Sequence, residues 1–313
     1  MTPALEQKAS IELGEEKDKV EAHVTAILRW LNAANHLEFP QDSETMKMFL
    51  RHAKYRNLVA EERIDNFVTI QLSTKYGRPD WVRILPLDDP ILKIYRSCHI
   101  LIPLGLMPNN GPFVLIAKFA AFNTDEFPPK DWITCTHMMV MYLLSIPAVQ
   151  ICGLSFIADM TNVPTKTLKA FQNFDDNKFY TKYFQESLPI RLKHLIYFNA
   201  PAAYDVIFKV FEGLLNEKIR KRIHFCRDNF DSVKKVLPGL DDILPKEYGG
   251  KINATTDALS ESGADQMIEY FKSTPMMNVK LDESKRMGKT KLENSDKAGG
   301  TKGAYVKTGT NEF

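Results

Sequence analysis

Cysteine, which would build a disulfide scaffold or a metal centre, is scarce in this sequence. The four cysteines, at positions 98, 135, 152 and 226, lie far apart and form no Cys-x-x-Cys pair. A chain of 313 residues needs no disulfide scaffold, so we expect buried free thiols in a reducing compartment. The seven histidines include no pair at the spacing of zinc ligands on a helix. The sequence therefore predicts neither a metal site nor a cofactor.

An excess of charge of either sign is also absent. Lys and Arg number 41 against 39 Asp and Glu, a net charge of +2, whereas a dedicated nucleic-acid binder shows a strongly basic domain. The first 19 residues lack both the apolar core of a secretory signal and the Arg-rich character of a transit peptide. These absences predict a cytoplasmic protein with no nucleic-acid partner.

The motifs of several enzyme classes are missing. Gly153-Leu154-Ser155 has the first glycine of an esterase elbow, but Phe156 and Ile157 continue it as a strand. The sequence contains neither a phosphate-binding Gly-x-Gly-x-x-Gly loop nor a Walker motif. We therefore predict a protein that is not an enzyme.

Two isolated features allow a functional and a structural interpretation. Cys98 and His99 are neighbours in the sequence, but adjacency rarely places a nucleophile against its base, so a structural role is favoured. Asp159 ends an apolar strand, at the edge where α/β sheets bind ligands. Because no second acid or base lies nearby in the sequence, a capping role through residues 161–163 is favoured for Asp159.

One long uncharged run needs an explanation. Residues 138–158 carry no charge over 21 positions, which is enough to be scored as a membrane span. Pro147 interrupts the run, Gln150 follows it, and Gly153 opens a strand-like segment. Because proline ends helices, we interpret the run as a buried helix, a turn and a buried strand.

The N-terminal part of the chain has a helical periodicity. Apolar residues three and four positions apart share one helical face: Val20, Val24, Ile27, Leu28 and Leu31. Asp42 can cap a helix over residues 43–53, and a third helix is predicted near residues 59–73. Short connections predict a small bundle within residues 1–80, which ends in a Pro- and Gly-punctuated linker at 76–89.

Strands and helices alternate between residues 81 and 252. The predicted strands are 113–119, 153–158 and 192–198, and the predicted helices are 128–145, 165–172, 176–186, 201–215, 216–223 and 228–236. This alternation predicts an α/β class (α+β overall), with a mostly parallel sheet covered by helices. Residues 253–313 are expected to form a largely flexible extension, apart from an amphipathic piece at 264–271 and an anchor at 304–306.

Ordered segments in the second half of the chain carry a family resemblance: residues 186–193, 199–201, 217–224 and 244–250. In order and spacing they resemble the CRAL-TRIO lipid-transfer proteins, in the branch of α-tocopherol transfer protein, cellular retinaldehyde-binding protein and the clavesins. Weaker agreement is found at 49–51, 114–116 and 153–159. The resemblance covers about residues 15–252, and the stretch 303–307 is similar to the tail of insect members.

The resemblance implies a helical module followed by a cavity on a sheet floor, closed by a mobile helical gate at residues 201–215. Taken alone, the apolar residues of that helix fit a core helix better, and the resemblance reverses this preference. The positions that it implies for ligand binding are Ala117, Ile133, Thr136, Val140, Leu154, Ala158, Tyr180, Tyr183, Phe184, Leu188, Val206, Ile207, Val210, Phe211 and Leu214. Such a set suits an isoprenoid or sterol-like ligand better than a charged phospholipid. Ala117 and Ala158 stand where the family carries larger residues, so tocopherol is not assumed.

The resemblance also implies a face that contacts membranes. Four residues match the basic cluster with which this branch binds phosphoinositide headgroups: Arg191, Lys193, Lys218 and Arg222. Attraction to an anionic leaflet contributes about 1 kcal/mol per basic residue near the surface, so four residues can decide docking. Lys218 and Arg222 are four positions apart, hence on one helical face, for which a solvated surface is the structural alternative.

The chain departs from the family at the N-terminal contribution to that face. The family commonly reads Phe-Leu-Arg-Ala-Arg, whereas His52 and Ala53 follow Arg51 in this sequence. The second arginine is thereby lost, and Arg51 with Lys54 compensates for it only in part. The phosphoinositide preference is therefore left open.

These features together predict a carrier. It binds a single hydrophobic small molecule or lipid (retinoid, carotenoid, tocopherol or sterol-like) in an enclosed pocket and transfers it between membranes. We expect a monomer that contacts anionic phosphoinositide membranes peripherally and transiently. The alternatives are a lipid-sensing regulatory or trafficking adaptor, and a lipid-modifying enzyme that uses Asp159 with a nearby histidine.

Overall fold

The computed structural model describes residues 1–227, 229–290 and 292, and its N-terminal part is helical. The helices there are α1 Pro3–Leu13, α2 Val20–Ala33, α3 Ser43–Ala53 and α4 Asn57–Leu72. Asp42 caps α3, its carboxylate accepting a hydrogen bond from the Thr45 N–H at 2.9 Å. The predicted helices are therefore confirmed, although α4 begins at Asn57 rather than at residue 59.

Helix α1 is not predicted from the sequence, because its Glu- and Lys-rich residues show no wide apolar face. Its ends nevertheless carry local signals: Thr2 caps it, and Gly14 ends it with a φ of 72° that favours glycine. Ala9 and Leu13 of α1 are buried against Ile151. The N-terminus of the chain is thus packed on the α/β part of the molecule.

The strands of the central sheet are β2 Leu101–Leu106, β3 Phe113–Lys118, β4 Leu154–Asp159, β5 Leu192–Phe198 and β6 Ile223–Cys226; a short β1 Leu37–Glu38 lies apart. They are hydrogen-bonded in the order β2-β3-β4-β5-β6, with β3 to β6 parallel and β2 antiparallel. The predicted α/β class with a mostly parallel sheet is confirmed. Strand β2 is missed because it contains Pro103 and Gly105, which an edge strand tolerates. Strand β6 is missed because it begins where a helix is predicted to end.

Helices connect and cover these strands: α5 Pro90–Cys98, α6 Pro129–Leu144, α7 Pro147–Cys152, α8 Thr165–Ala170, α9 Phe174–Lys182, α10 Ala202–Glu212, α11 Glu217–Arg220 and α12 Phe230–Val236. Helix α9 continues into one π-helical turn, Tyr183–Ser187. Helix α5 is not predicted from the sequence. Asp228, the predicted start of α12, lies outside the described residues.

The uncharged run at residues 138–158 is divided between α6, α7 and β4. Pro147 occupies the first turn of α7, which stands where a simple turn is predicted. The interpretation of the run as buried helix and strand is confirmed. Among the helices that the structure describes, none combines the length and the apolar character that a membrane crossing requires.

The segment after residue 252 docks on the rest of the molecule through both apolar and polar contacts, with Ala264, Met267 and Phe271 in the main core. Helix α13, Thr256–Phe271, packs on β2, where the Ser260 hydroxyl donates a hydrogen bond to the Leu101 carbonyl at 2.8 Å. Strand β7, Lys280–Leu281, pairs with β1. The Arg286 guanidinium binds Asp65 of α4 at 2.7 Å. The amphipathic piece predicted at 264–271 lies in α13, whereas the flexibility expected for the flanking residues 256–263 and 272–286 is not found. The predicted anchor at 304–306 lies outside the described residues.

The two faces of the central sheet pack against different partners. The closed face carries a row of isoleucines that packs on α12 and the turns after it: Ile102, Ile116, Ile157 and Ile196. The cavity face carries Leu115 and Leu154, which belong to one apolar core with α6 and the N-terminal helices. The functional site lies on the cavity face.

Candidate functional site

A cavity of about 270 Å³ lies between the cavity face of the sheet and helices α6, α8, α9 and α10. Its floor is formed by strand residues: Leu115, Leu154, Phe156, Ala158, Leu192, Leu195 and Tyr197. The volume is close to that of the smaller known ligand pockets, which begin near roughly 300 Å³. The site can therefore hold a small molecule rather than a macromolecular segment.

Most of the ligand-binding positions implied by the resemblance line this cavity: Ile133, Thr136, Val140, Leu154, Ala158, Tyr180, Tyr183, Phe184, Leu188, Ile207 and Phe211. Ala117 lies on the cavity face and is buried, but it does not border the cavity. Leu214 follows the end of α10 and does not border it either. The structure thus brings the set together from β4, α6, α9, the π-helical turn and α10.

Helix α10 covers the cavity with only part of the predicted face, through Ile207 and Phe211. Val206 and Val210 are 70% and 56% exposed, so their assignment to the cavity is wrong. The lining residues of α10 include Tyr204 and Phe208, whose rings pack 5.0 Å from Tyr197 and 5.1 Å from Phe225. The aromatic rings at positions 204, 208 and 211, three and four residues apart, mark this inner face in the sequence.

Few contacts hold α10 in place. None of its residues is fully buried, and the Phe211 ring stacks on Phe174 of α9 at 6.1 Å. At its N-terminal end Asp205 forms an exposed ion pair with Arg227. Because local opening follows from low burial, α10 is among the elements that open at least cost.

An aromatic wall completes the cavity and is not predicted from the sequence. Phe119 packs edge-on to Trp132 at 6.2 Å and to Phe171 at 5.9 Å, and Trp81 packs on Phe179 at 6.4 Å. Trp81 lies in a turn, where periodicity gives no signal, and Phe119 begins a 3-10 turn although it is predicted as the last residue of a strand. The lining is therefore more aromatic than the predicted set.

Among the titratable side chains that line the cavity are His137, Tyr180 and Tyr183. His137 Nδ1 and the Tyr183 hydroxyl are hydrogen-bonded at 2.5 Å, and Thr136 lies beside them in the sequence. Burial lowers the pKa of His137 to about 3 and raises the pKa of Tyr183 well above its usual value. Burial also raises the pKa of Tyr180 to about 12. All three titratable side chains are therefore neutral at neutral pH.

One charged side chain borders the cavity in the part of the chain that the structure describes. Asp176 of α9 lines it and forms an ion pair with Arg78. The carboxylate is therefore already paired outside the cavity. No other charged side chain among the described residues lines the cavity, so an apolar ligand would meet no unpaired charge there.

The basic face, formed by Arg191, Lys193, Lys218 and Arg222, adjoins the cavity. Leu192 and Ile219, neighbours of these residues in the sequence, line the cavity. Burial and then the charge of Arg222 lower the pKa of Lys218, and Lys54, Arg191 and Arg63 act in the same direction. Burial and then Arg191 lower the pKa of Arg222. The structure thus assembles like charges that an anion would stabilise.

The geometry of the basic face differs from the predicted one in one respect. Helix α11 ends at Arg220, so Lys218 and Arg222 do not share a helical face. The Arg222 guanidinium instead donates to the Leu192 carbonyl on β5. Lys218 and Arg222 form no ion pair with any carboxylate of the described residues.

Glu12 of α1 occupies part of the basic face. Its carboxylate binds Arg191 at 2.9 Å and Lys193 at 3.3 Å. Burial opposes ionisation of Glu12, but hydrogen bonds from Arg191 and Lys8 outweigh it and lower the pKa to about 2. Helix α1 therefore neutralises one half of the basic face and leaves Lys218 and Arg222 uncovered.

Two residues from the sequence analysis have structural roles. Arg51 is 2% exposed, binds Glu15 at 2.7 and 2.8 Å and donates to Gln150 at 2.6 Å, so it does not compensate on the basic face. Asp159 accepts hydrogen bonds from the Thr161 N–H at 2.9 Å and the Tyr248 hydroxyl at 2.6 Å. The predicted capping role of Asp159 is confirmed.

Comparison with known proteins connects this geometry with a family. The family model of the CRAL/TRIO domain matches residues 103–250. Alpha-tocopherol transfer protein-like of Homo sapiens is 26% identical over 197 residues, which are 61% of this chain and 51% of that protein. The chain thus spans about half the length of this relative.

A second relative aligns over more of the chain. Clavesin-2 of Mus musculus is 22% identical over 257 residues, which are 80% of this chain and 75% of that protein. The crystal structure of Sfh5 superposes on 81% of this chain and 89% of its own, with 12% sequence identity and a TM-score of 0.47. The family match and the two relatives confirm the resemblance found in the sequence.

Proposed function

Because residues 103–250 form a CRAL/TRIO domain, we propose that this protein binds one hydrophobic small molecule or lipid in its cavity and transfers it between membranes. The observation that carries the proposal is the cavity of about 270 Å³ with its apolar and aromatic lining. Removing apolar surface from water contributes about 2.5 kcal/mol per 100 Å², so a ligand is held without a covalent bond. The proposal contains no catalytic step.

Helix α10 is the gate in this proposal. Its inner residues Tyr204 and Phe208 cover the ligand, while Val206 and Val210 present an apolar outer surface. An amphipathic helix with exposed apolar residues gains free energy at a lipid surface. Contact with a membrane therefore favours the open state, since the ligand's cover is then exchanged for lipid contacts.

The basic face directs this contact to anionic membranes, including those with phosphoinositides. Lys218 lies just after the gate, so docking of the face brings α10 to the bilayer. Each basic residue near the surface contributes about 1 kcal/mol, which is enough for transient but not for permanent attachment. The proposal includes a cytoplasmic monomer that visits membranes peripherally.

The lipid content of the purified chain tests the carrier function. Native mass spectrometry and organic extraction are expected to find one unmodified lipid per chain. An empty protein that converts added lipid into a product would contradict the carrier and support the enzyme. A protein that binds lipid but does not transfer it between vesicles would support the lipid-sensing adaptor.

A matched pair of gate variants tests the role of α10. Phe211→Asp places a charge on the inner face and is expected to abolish lipid retention in solution. Val206→Asp places the same charge on the outer face, where it is expected to preserve retention and slow transfer between vesicles. Equal lipid loss in both variants would contradict the two-sided gate.

Vesicle flotation tests the basic face. Arg191→Ala combined with Lys218→Ala is expected to weaken binding to vesicles that contain phosphatidylinositol bisphosphate. Lys166→Ala combined with Lys280→Ala removes the same charge from exposed ion pairs elsewhere and serves as the control. If both double variants bind like the unchanged chain, the basic face does not dock.

A further inference from the structure

His137 and Tyr183 form a buried polar pair in the wall of the apolar cavity. Each side chain is 1% exposed, each lines the cavity, and Nδ1 lies 2.5 Å from the phenol oxygen. His137 belongs to α6 and Tyr183 to the π-helical turn after α9, so two elements fix the geometry. The Phe67 ring of α4 packs 6.1 Å from the imidazole. The pair is therefore held rigidly at the cavity wall.

One hydrogen-bond donor of this pair has no acceptor among the described residues. His137 Nε2 has no partner among the described residues, and the Tyr183 hydroxyl has none besides His137. A neutral imidazole carries one N–H, and a phenol carries one O–H. If the phenol donates to Nδ1, the Nε2–H is left over; if Nδ1–H donates to the phenol, the O–H is left over. In either tautomer one proton of the pair lacks an acceptor in the part of the chain that the structure describes.

Buried polar groups almost always find a partner. Unlike the unpartnered hydroxyls of Tyr55 and Tyr95, the unpartnered groups of this pair and of the adjacent Thr136 belong to side chains that line the cavity. Burial lowers the pKa of His137 to about 3, so the imidazole carries no charge that an anion would neutralise. The described lining contains no Lys or Arg side chain. The missing acceptor therefore belongs to an uncharged molecule.

We propose that the His137–Tyr183 pair binds the polar end of the ligand, and that the ligand is an uncharged lipid with a hydroxyl or carbonyl oxygen. This inference rests on the proposed function and specifies its ligand class. A pure hydrocarbon would leave the proton of the pair without an acceptor. A carboxylate or phosphate would bring a charge into a wall without a cation, where desolvation is unfavourable. An alcohol, aldehyde, ketone or ester supplies the acceptor without either penalty.

Matched pairs of probe lipids test this class with the full chain. Cholesterol and 5-cholestene differ by one hydroxyl, as do farnesol and 2,6,10-trimethyldodeca-2,6,10-triene, and farnesoic acid adds the charged case. Their affinities are measured by displacement of a fluorescent lipid. Each alcohol is expected to bind about tenfold more tightly than its hydrocarbon, the usual size of one buried hydrogen bond. Farnesoic acid is expected to bind more weakly than farnesol.

Two variants assign the preference to the pair. His137→Phe keeps an aromatic ring and is expected to bring the alcohol-to-hydrocarbon ratio close to one, by weakening the alcohol alone. Tyr95→Phe is the control, because it removes a buried hydroxyl without a partner that does not line the cavity. It is expected to keep the tenfold ratio.

The outcomes separate this inference from the carrier function. Equal binding of alcohols and hydrocarbons by the unchanged chain would overturn the inference and leave the carrier standing. A preference that survives in His137→Phe would also overturn it. The comparison of alcohols with hydrocarbons in the unchanged chain remains a test even if that variant does not fold. Failure of all probes to bind, in a protein that retains no lipid on extraction, would overturn the carrier and the inference together.

Discussion

The closed face and the cavity face of the central sheet are built from the same strands and differ in what covers them. On the closed face, isoleucines from four adjacent strands form a row in which every side chain is 0% exposed: Ile102, Ile116, Ile157 and Ile196. One position away on the same strands, Leu115, Phe156 and Leu195 form a row that borders the cavity. Alternation along a strand thus gives a filled core on one side and a ligand site on the other.

The difference shows how a site is recognised inside an apolar protein. The interior of a protein is closely packed, and the isoleucine row packs in this way against α12. The cavity face leaves a volume empty and places an orphaned donor of the His137–Tyr183 pair at its wall. Both departures cost stability, and the proposed ligand would offset both costs by filling the space and accepting the proton.

The largest expected effect compares neighbouring residues of β3. Ile116 on the closed face and Leu115 on the cavity face are both 0% exposed. Ile116→Ala is expected to lower the free energy of unfolding by about 3–4 kcal/mol, as for a filled core. Leu115→Ala is expected to lower it by about 2 kcal/mol, because a side chain that borders a void has fewer contacts to lose.

Urea denaturation of the lipid-free chain measures both free energies. Equal losses for the two variants would mean that the cavity collapses in solution. Rebinding lipid is expected to stabilise the Ile116→Ala protein more than the Leu115→Ala protein, because only the latter has lost part of the ligand's wall.

The next effect concerns acid stability. Burial holds the pKa of His137 at about 3 in the folded chain, whereas a histidine in an unfolded chain titrates near about 6.5. Below that pH the unfolded chain binds a proton that the folded chain refuses, so stability falls by about 1.4 kcal/mol per pH unit. His137 therefore accounts for a loss of about 2 kcal/mol between pH 7 and pH 5, and His137→Phe is expected to remove it.

His224 provides the comparison for this pH dependence. It pairs with Ile196 at the end of the isoleucine row, and burial lowers its pKa less, since it is only half-buried. Urea denaturation at pH 7 and pH 5 is expected to show a smaller change for His224→Phe than for His137→Phe. An unchanged pH dependence in His137→Phe would contradict the neutral buried imidazole.

Local sequence signals predict much of the fold, but they do not predict the cavity beside the cavity face of the sheet. The Asp42 cap of α3 and the bounds of β5 follow from residues close in sequence. Whether Leu115 borders a void depends on how helices from distant parts of the chain pack over it. The inner face of α10 is predicted only in part, because Val206 and Val210 are as apolar as Ile207 and Phe211 but point away from the cavity.

The basic face shows the same limit. Arg191 and Lys218 are correctly placed together by the resemblance, but the ion pair of Arg191 with Glu12 joins residues 179 positions apart. No periodicity or motif connects such positions. Helix α1 has no wide apolar face, so its packing on the α/β part is not visible in the sequence either.

A smaller effect distinguishes two alanines within the cavity face. Ala117 and Ala158 are directly paired between β3 and β4, but only Ala158 borders the cavity. Ala117→Leu is expected to cost about 1–2 kcal/mol of unfolding free energy through overpacking. Ala158→Leu is expected to cost less than about 1 kcal/mol and to weaken lipid binding about tenfold, because the added methyl groups occupy ligand space. Urea denaturation and fluorescent-lipid titration measure the two quantities; tight lipid binding by Ala158→Leu would place the ligand elsewhere.

The smallest expected effect lies at the start of β5, where Leu192 lines the cavity and Arg191 and Lys193 stay outside with Glu12. Glu12→Gln removes the negative charge that neutralises this half of the basic face. Binding to vesicles with anionic lipids is expected to rise about threefold, because partly exposed ion pairs contribute at most about 1 kcal/mol. The gain is expected to vanish at high salt, where such charges are screened.

Glu16→Gln is the matched control for this variant. It removes the same charge from the exposed Glu16–Lys19 pair, which does not touch the basic face. If flotation with anionic vesicles rises equally in both variants, the change reflects net charge alone. A rise confined to Glu12→Gln would show that α1 neutralises Arg191 and Lys193 through Glu12. The N-terminal helix would then be coupled to the strand that floors the cavity.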